Sequence, residues 1–161
     1  MAYGTNLCFK STGSTTVTLN KIGSPNETTI KYSTDGTNWN TVNGAISLSD
    51  GAHVAFSGNA KFSKNIQNRY SFSTAGTGTL AISGYLSSLI SSATIEDDYE
   101  FNSLFSGCTN ITDASGLVLP SNTTEWCYAN MFIDCTNLIN TPTLPASSLN
   151  KWCYSSMFAN C

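Results

Sequence analysis

The chain has 161 residues, of which 40% are hydrophobic and only 11% charged, with a net charge of −3. That length holds one ordinary domain or two small ones, and the charged fraction is about half of what a typical soluble domain carries. The seven Lys and Arg residues form no stripe, which excludes the basic footprint of a nucleic-acid binder, and no apolar run is long enough to span a bilayer.

Ser, Thr and Asn take the place of charge, a composition that suits β-structure and repeat arrays better than helical bundles. The opening Met1-Ala2-Tyr3-Gly4-Thr5-Asn6 has neither a basic nor an apolar stretch and does not read as a signal peptide. Three expectations stay open: a leader removed, a protein kept inside the cell, or assembly into a particle released by lysis.

Residues 7–72 read as all-β. Leu7-Cys8-Phe9 opens a strand, and Thr16-Val17-Thr18-Leu19 alternates with the period of two of a half-buried strand. Ile30–Ser33 and Trp39–Val42 flank Asp35-Gly36, a strong hairpin signal because Gly accepts positive φ. Ala45–Leu48 and His53–Phe56, separated by Asp50-Gly51, are expected to form a second pair. Phe62, Tyr70 and Phe72 fall on later strands. Short strands at this spacing predict a sandwich or small barrel. Leu80-Ala81-Ile82 reads as a last strand beside a glycine-rich hinge, and Tyr85–Ile90 as a short capping helix.

The second half repeats itself. Leu104-Phe105-Ser106-Gly107-Cys108 recurs as Met131-Phe132-Ile133-Asp134-Cys135 and as Met157-Phe158-Ala159-Asn160-Cys161. Cys108-Thr109-Asn110-Ile111 matches Cys135-Thr136-Asn137-Leu138, and Trp126-Cys127-Tyr128 matches Trp152-Cys153-Tyr154. Leu117-Val118-Leu119-Pro120 aligns with Thr143-Leu144-Pro145 on its proline. One such unit cannot bury both faces of its own strand, whereas stacked units can. The stack places Leu117, Leu119 and Leu144 inward on short parallel strands ended by proline, with the Met/Leu-Phe pairs on a returning helical turn.

The pattern Cys-x-x-Leu, Leu-Pro, Cys-Tyr-x-x-Met-Phe-x-x-Cys resembles the BspA-type leucine-rich repeats found in gut Bacteroidetes proteins and in phages that infect them. Tyr32–Trp39 and Asp50–Gly58 resemble the β-module that precedes such repeats. The first unit departs from the pattern, with Tyr99-Glu100-Phe101 where later units have Trp-Cys-Tyr. The resemblance implies a mainly β protein: a β-sandwich-like domain over 1–84 and a leucine-rich-repeat-like solenoid of about three coils over 85–161. It implies surface, adhesion or virion components, and it brings no catalytic residues. No polar cap follows the last unit, so the expectation is a fragment or an open end that docks on another chain.

Cys108, Cys135 and Cys161 occupy equivalent repeat positions, as do Cys127 and Cys153. In-register side chains point the same way and seldom reach disulfide geometry, so buried free thiols are expected. Metal binding would need close Cys or His pairs, which the spacing does not offer. His53 without a placed acid and nucleophile is not a catalytic site. Glu96-Asp97-Asp98 reads as the solvated start of the first coil. Asn26, Asn110 and Asn122 head sequons of the kind that an Asn/Thr-rich composition produces by chance. Ser33–Trp39 is similar to the Asp-box of sialidase-like proteins, one residue short and present once. A tight hairpin with an aromatic anchor is the favoured reading, and a ligand site at Asp35, Asn38 and Trp39, with Trp39 stacking on carbohydrate, is the alternative.

The reading that follows is a non-enzymatic virion structural protein (fibre, decoration or tail-associated subunit) without cofactor or metal. Its expected partners are other virion or surface proteins, and a glycan or host-surface ligand, with oligomerisation open. A bacterial cell-surface adhesin is the alternative.

Overall fold

The computed structural model describes residues 4–26, 29–58, 63–90 and 92–161. Phe62 and part of the Asn26 sequon therefore lie outside the described residues. Among the described residues nine strands are formed: β1 (Leu7–Thr12), β2 (Thr15–Ile22), β3 (Lys31–Ser33), β4 (Asn40–Thr41), β5 (Ala45–Leu48), β6 (His53–Ser57), β7 (Arg69–Gly76), β8 (Thr79–Tyr85) and β9 (Ile111–Val118). They make a six-stranded sheet ordered β4-β3-β6-β1-β8-β9 and a three-stranded sheet ordered β5-β2-β7. The protein is mainly β, and the helix expected at Tyr85–Ile90 is a single 3-10 turn over Leu86–Leu89 that buries both leucines.

The two sheets face each other across a phenylalanine cluster. Phe9 of β1 lies 5.0 Å from Phe72 of β7, and Phe56 of β6 lies 4.9 Å from the same ring. The Asp35-Gly36 hairpin forms as expected, with Lys31 opposite Thr41 and Tyr32 opposite Asn40.

The second expected pair does not form. β5 joins β2 in the smaller sheet, while β6 inserts between β3 and β1 in the larger one. Ile46 and Leu48 thus enter the core from one layer and Val54 and Phe56 from the other. The Asp50-Gly51 corner crosses between layers and is tied to the β1–β2 turn: the Gly13 N–H donates to Asp50 Oδ1 at 2.8 Å and the Gly51 N–H to the Ser11 carbonyl at 2.9 Å. A turn signal marks a change of chain direction without saying which sheet receives the next strand.

Nor is β8 a final strand beside a hinge. It pairs antiparallel with β1 and, on its other side, parallel with β9. Gly84 sits at φ +82° where any Cβ would lie 1.9 Å from the Asn6 carbonyl oxygen, so this position is packed.

Residues 99–108, 126–135 and 152–161 are stacked runs of tight turns, not helical turns. Every second N–H closes a turn onto the carbonyl three residues back, as from Leu104 to Phe101, Met131 to Tyr128 and Met157 to Tyr154. The intervening N–H groups point to the next segment. Tyr99, Phe101, Ser103, Phe105 and Gly107 donate to the carbonyls of Glu125, Cys127, Ala129, Met131 and Ile133. Trp126, Tyr128, Asn130, Phe132 and Asp134 donate in the same order to Lys151, Cys153, Ser155, Met157 and Ala159. Every forward donor of the first two segments thus has an acceptor, which is what burial demands.

This geometry needs a left-handed residue at every fourth position. Tyr99 and Ser103 in the first segment, Trp126, Asn130 and Asp134 in the second, and Trp152, Ser156 and Asn160 in the third all have φ between 51° and 60°, and Gly107 completes the first set at 71°. Gly, Asp and Asn at the last of these positions are residues that tolerate the conformation. The aromatic residues at the first do not, and their cost is offset by stacking: Tyr99 on Trp126 at 6.0 Å and Trp126 on Trp152 at 5.3 Å.

The sheet layers continue into the segments. β9 extends the larger sheet, and Asn140 bridges in parallel to Asp113 of β9. The smaller sheet continues as the turn segments, because the Phe72 N–H of β7 donates to Leu104 O at 2.7 Å. Phe72, Phe105, Phe132 and Phe158 form one column with spacings of 5.6, 5.1 and 5.7 Å. The apolar core therefore runs without a break across residues 84–85. Leu117 and Leu119 are buried as expected, but Leu144 is 43% exposed, and the chain around it forms no strand.

Candidate functional site

The Asp35–Trp39 loop holds its own polar groups. Asp35 Oδ1 accepts the N–H groups of Thr37 and Asn38, both at 2.8 Å, and the Ser33 hydroxyl at 3.0 Å. Asp35 Oδ2 accepts from the Asn38 amide at 2.6 Å. The Asn38 backbone and side-chain donors, then Thr37 and Ser33, hold the Asp35 carboxyl well below the usual carboxylate range. Asp35 and Asn38 are exposed and Trp39 is half-buried. The carboxylate is engaged in fixing a turn, with Asn38 as its partner. Asp35 also borders a cleft lined by Thr34, Ser47, Leu48, Ala52 and His53, whereas Asn38 and Trp39 do not line it.

The cysteines form a structural ladder. The Cys108 thiol donates to Phe72 O at 3.3 Å, Cys135 to Phe105 O at 3.1 Å and Cys161 to Phe132 O at 3.0 Å. All six cysteines are free, and five are buried. Burial pushes the Cys127 thiol up to about 11 and Cys135 to about 12. Such groups are protonated at neutral pH and serve as small packed donors, not nucleophiles. No group of three or more His, Cys, Asp and Glu among the described residues is arranged to hold a metal ion. No helix among them is long and apolar enough to cross a membrane.

The acidic run is partly structural. Asp98 Oδ1 accepts the Glu125 N–H at 3.0 Å, and Asp97 O accepts the Thr124 hydroxyl at 2.7 Å. Asparagines tie neighbouring loops on the other flank. Asn110 Nδ2 donates to Gly78 O at 2.8 Å, and Asn137 Nδ2 to Thr109 O at 2.8 Å. A groove rich in Thr and Asn lies along this flank, lined by the β7–β8 turn, Thr109, Asn110, Thr112 and Thr136–Ile139.

The most distinctive surface was not legible in the sequence. Trp152, Tyr154, Ser156, Phe158 and Asn160 are the third-segment counterparts of the forward donors, and none of their N–H groups donates to a backbone acceptor among the described residues. Trp152 is 51% exposed and Leu149 69%. The matched Trp and Phe positions signalled that units stack, but only the backbone geometry reveals that one face of each segment carries donors alone.

Comparison with protein-family models, with curated proteins and with solved structures finds no significant match to this chain.

Proposed function

We propose that this protein is a non-enzymatic structural component of a phage virion, acting in assembly or attachment as a fibre, decoration or tail-associated subunit. In this reading residues 1–84 are a β-sandwich-like module and residues 85–161 a leucine-rich-repeat-like solenoid of about three coils, related to the BspA type. The observation that carries it is the Phe72–Phe105–Phe132–Phe158 column, which fuses a strand module to a stack of repeats in one core. A continuous, weakly charged column suits a rod or spacer that transmits position, and the thiols that line it are tied to backbone carbonyls instead of being poised for chemistry. Its partners are then other virion proteins. Mass spectrometry of purified particles tests this: recovery at stoichiometric level is expected, and detection only in uninfected cells would overturn it.

A second reading, a bacterial cell-surface adhesin, is favoured by the flank groove, whose Thr hydroxyls and Asn amides suit a polar ligand such as a glycan. Surface labelling of intact bacteria that carry the gene separates it from the first.

A further inference from the structure

The negative charge of this chain is concentrated at one place. Four of its ten acidic residues, Glu96, Asp97, Asp98 and Glu100, lie within five positions where the first turn segment begins. Asp97 and Asp98 border a cavity of about 360 Å³ that they share with Asn26, Ser63 and Lys64 of the strand region. These residues are far apart in the chain, and folding alone brings them together. Adjacent carboxylates are ordinarily just solvated, so the acidic run by itself points to no ligand.

The strand region supplies an independent sign. Ser63 is 1% exposed, and its hydroxyl meets no hydrogen-bond partner. Native proteins rarely leave a buried hydroxyl unsatisfied, and one that stands beside a cavity calls for a water or an ion. Asn26 Nδ2 donates to the Ser63 carbonyl at 3.4 Å, which keeps Oδ1 as an acceptor. The Tyr70 hydroxyl donates to Asn26 O at 3.1 Å and steadies that loop. Lys64 directs its ammonium to Ser24 O at 3.0 Å. On the other side Asp98 Oδ1 accepts the Glu125 N–H at 3.0 Å, which anchors that carboxylate.

We propose that this cavity is a calcium site, with the Asp97 and Asp98 carboxylates, Asn26 Oδ1 and Ser63 Oγ as protein ligands and water completing the shell. The donors are all oxygen, two of them charged and two neutral, which suits a hard cation. Calcium takes about six to eight oxygens in flexible geometry, whereas magnesium demands a near-ideal octahedron that side chains from three separate loops are poorly placed to give. The cavity has room for the remaining waters, each of which takes about 30 Å³. Two carboxylates with Lys64 nearby make a weak site, with a Kd of about 0.1–1 mM. The bound ion ties the loops before β3 and before β7 to the start of the turn segments, stapling the two regions on one flank. The site goes beyond the virion reading and does not depend on it.

The test is calorimetric titration of the chelator-treated full chain with calcium chloride and with magnesium chloride. Thermal melts accompany it at about 10 mM of each ion, roughly tenfold above the weak end of that range. Calcium should bind once per chain and raise the melting temperature, and magnesium should do neither. Ser63→Ala should weaken calcium binding by about 10-fold or more. In chelator the same variant should melt at or above the wild-type temperature, because the hydroxyl it removes has no partner there. Asp97→Asn keeps the shape, removes a charge, and should also weaken binding by about 10-fold or more; if it fails to fold, Ser63→Ala decides alone. Absence of both heat and shift with calcium would overturn the proposal. Equal shifts with magnesium would reduce the effect to general charge screening and sink it as well. Calcium binding that both variants leave unchanged would put the ion elsewhere. A Ser63→Ala melt lowered equally in chelator and in calcium would assign the hydroxyl to a trapped water and refute the ligand set.

Discussion

Strands β1–β8 and the three turn segments enclose one core by opposite backbone strategies. In the strands, neighbours exchange donors and acceptors along both edges, as where β2 meets β7 through eight paired residues. In the segments all forward N–H groups face one neighbour and all matching carbonyls the other. The strand strategy closes with ordinary φ values and leaves edges that accept many partners. The turn strategy requires left-handed residues at every fourth position and leaves an edge of one chemical sense. A sheet can therefore start such a stack, as β7 does through the Phe72 N–H to Leu104 O.

The largest expected effect probes whether the two regions are one cooperative body. Phe105 is fully buried and touches Phe9 and Phe72 on one side and Phe132 on the other. Phe105→Ala should cost about 3–5 kcal/mol, the usual range for deleting a buried aromatic ring. Urea unfolding followed by far-UV circular dichroism and by tryptophan fluorescence should shift together. If the strand region kept its wild-type midpoint while the segments unfolded earlier, the shared core would not be energetically shared.

Next comes pH. Burial, reinforced by the charge of neighbouring groups, raises Cys135 from 9.0 to about 12, and burial chiefly raises Cys127 from 9.0 to about 11. A folded-state value above the unfolded one stabilises fully below the unfolded value and loses that contribution as pH rises toward the folded one. The urea midpoint should therefore hold steady up to about pH 9 and fall between about 9 and 12. A Cys127→Ala, Cys135→Ala double variant should show a shallower decline over that window, and an equally steep one would mean that the thiol columns are not responsible.

Much of this architecture was readable from residue order, for reasons specific to each element. The hairpin at Asp35-Gly36 and strands such as the one read at Thr16–Leu19, which the fold extends to Thr15–Ile22, announce themselves because side-chain period and turn chemistry are local. The repeat is legible because stacking makes matched positions share an environment, so Phe105, Phe132 and Phe158 recur in step. The conformation of the repeat was not legible: Met-Phe-x-x-Cys has apolar spacing that fits a helical turn, and no propensity scale places Trp126 or Trp152 in left-handed backbone. That choice is made by the neighbouring segment, through inter-segment hydrogen bonds and ring stacking. Likewise Asp35 and Asn38 were visible as candidate ligand residues, but their engagement with each other depends on the folded loop.

A smaller effect separates the inner hydrogen bonds of the stack from its packing. The Tyr128 hydroxyl donates to Pro120 O at 2.9 Å in a buried site, linking the turn segment to the residues that follow β9. Removing it with Tyr128→Phe keeps the ring in its column with Phe101 and Tyr154 and leaves one carbonyl without its partner. The expected loss is about 1–1.5 kcal/mol, read as a lowered urea midpoint with an unchanged slope. A changed slope would mean that the hydroxyl determines how much of the stack folds together with the sheets.

The smallest effect tests the left-handed positions themselves. Ser156 is exposed with φ 51°, while its neighbour Ser155 closes an ordinary turn onto Trp152 and does not share that conformation. An L-residue in left-handed backbone costs roughly 1–2 kcal/mol, and glycine removes that cost while adding about 0.5–1 kcal/mol of unfolded-state entropy. Ser156→Gly should therefore raise stability by a few tenths of a kcal/mol, whereas Ser155→Gly, which gains nothing to set against the entropy, should lower it by about 0.5–1 kcal/mol. The sign difference between adjacent serines is the decisive readout, because both lose a hydroxymethyl group of the same size. Two losses of equal size in thermal melts would mean that the segments do not maintain left-handed residues in solution, and the one-sided donor edge would go with them.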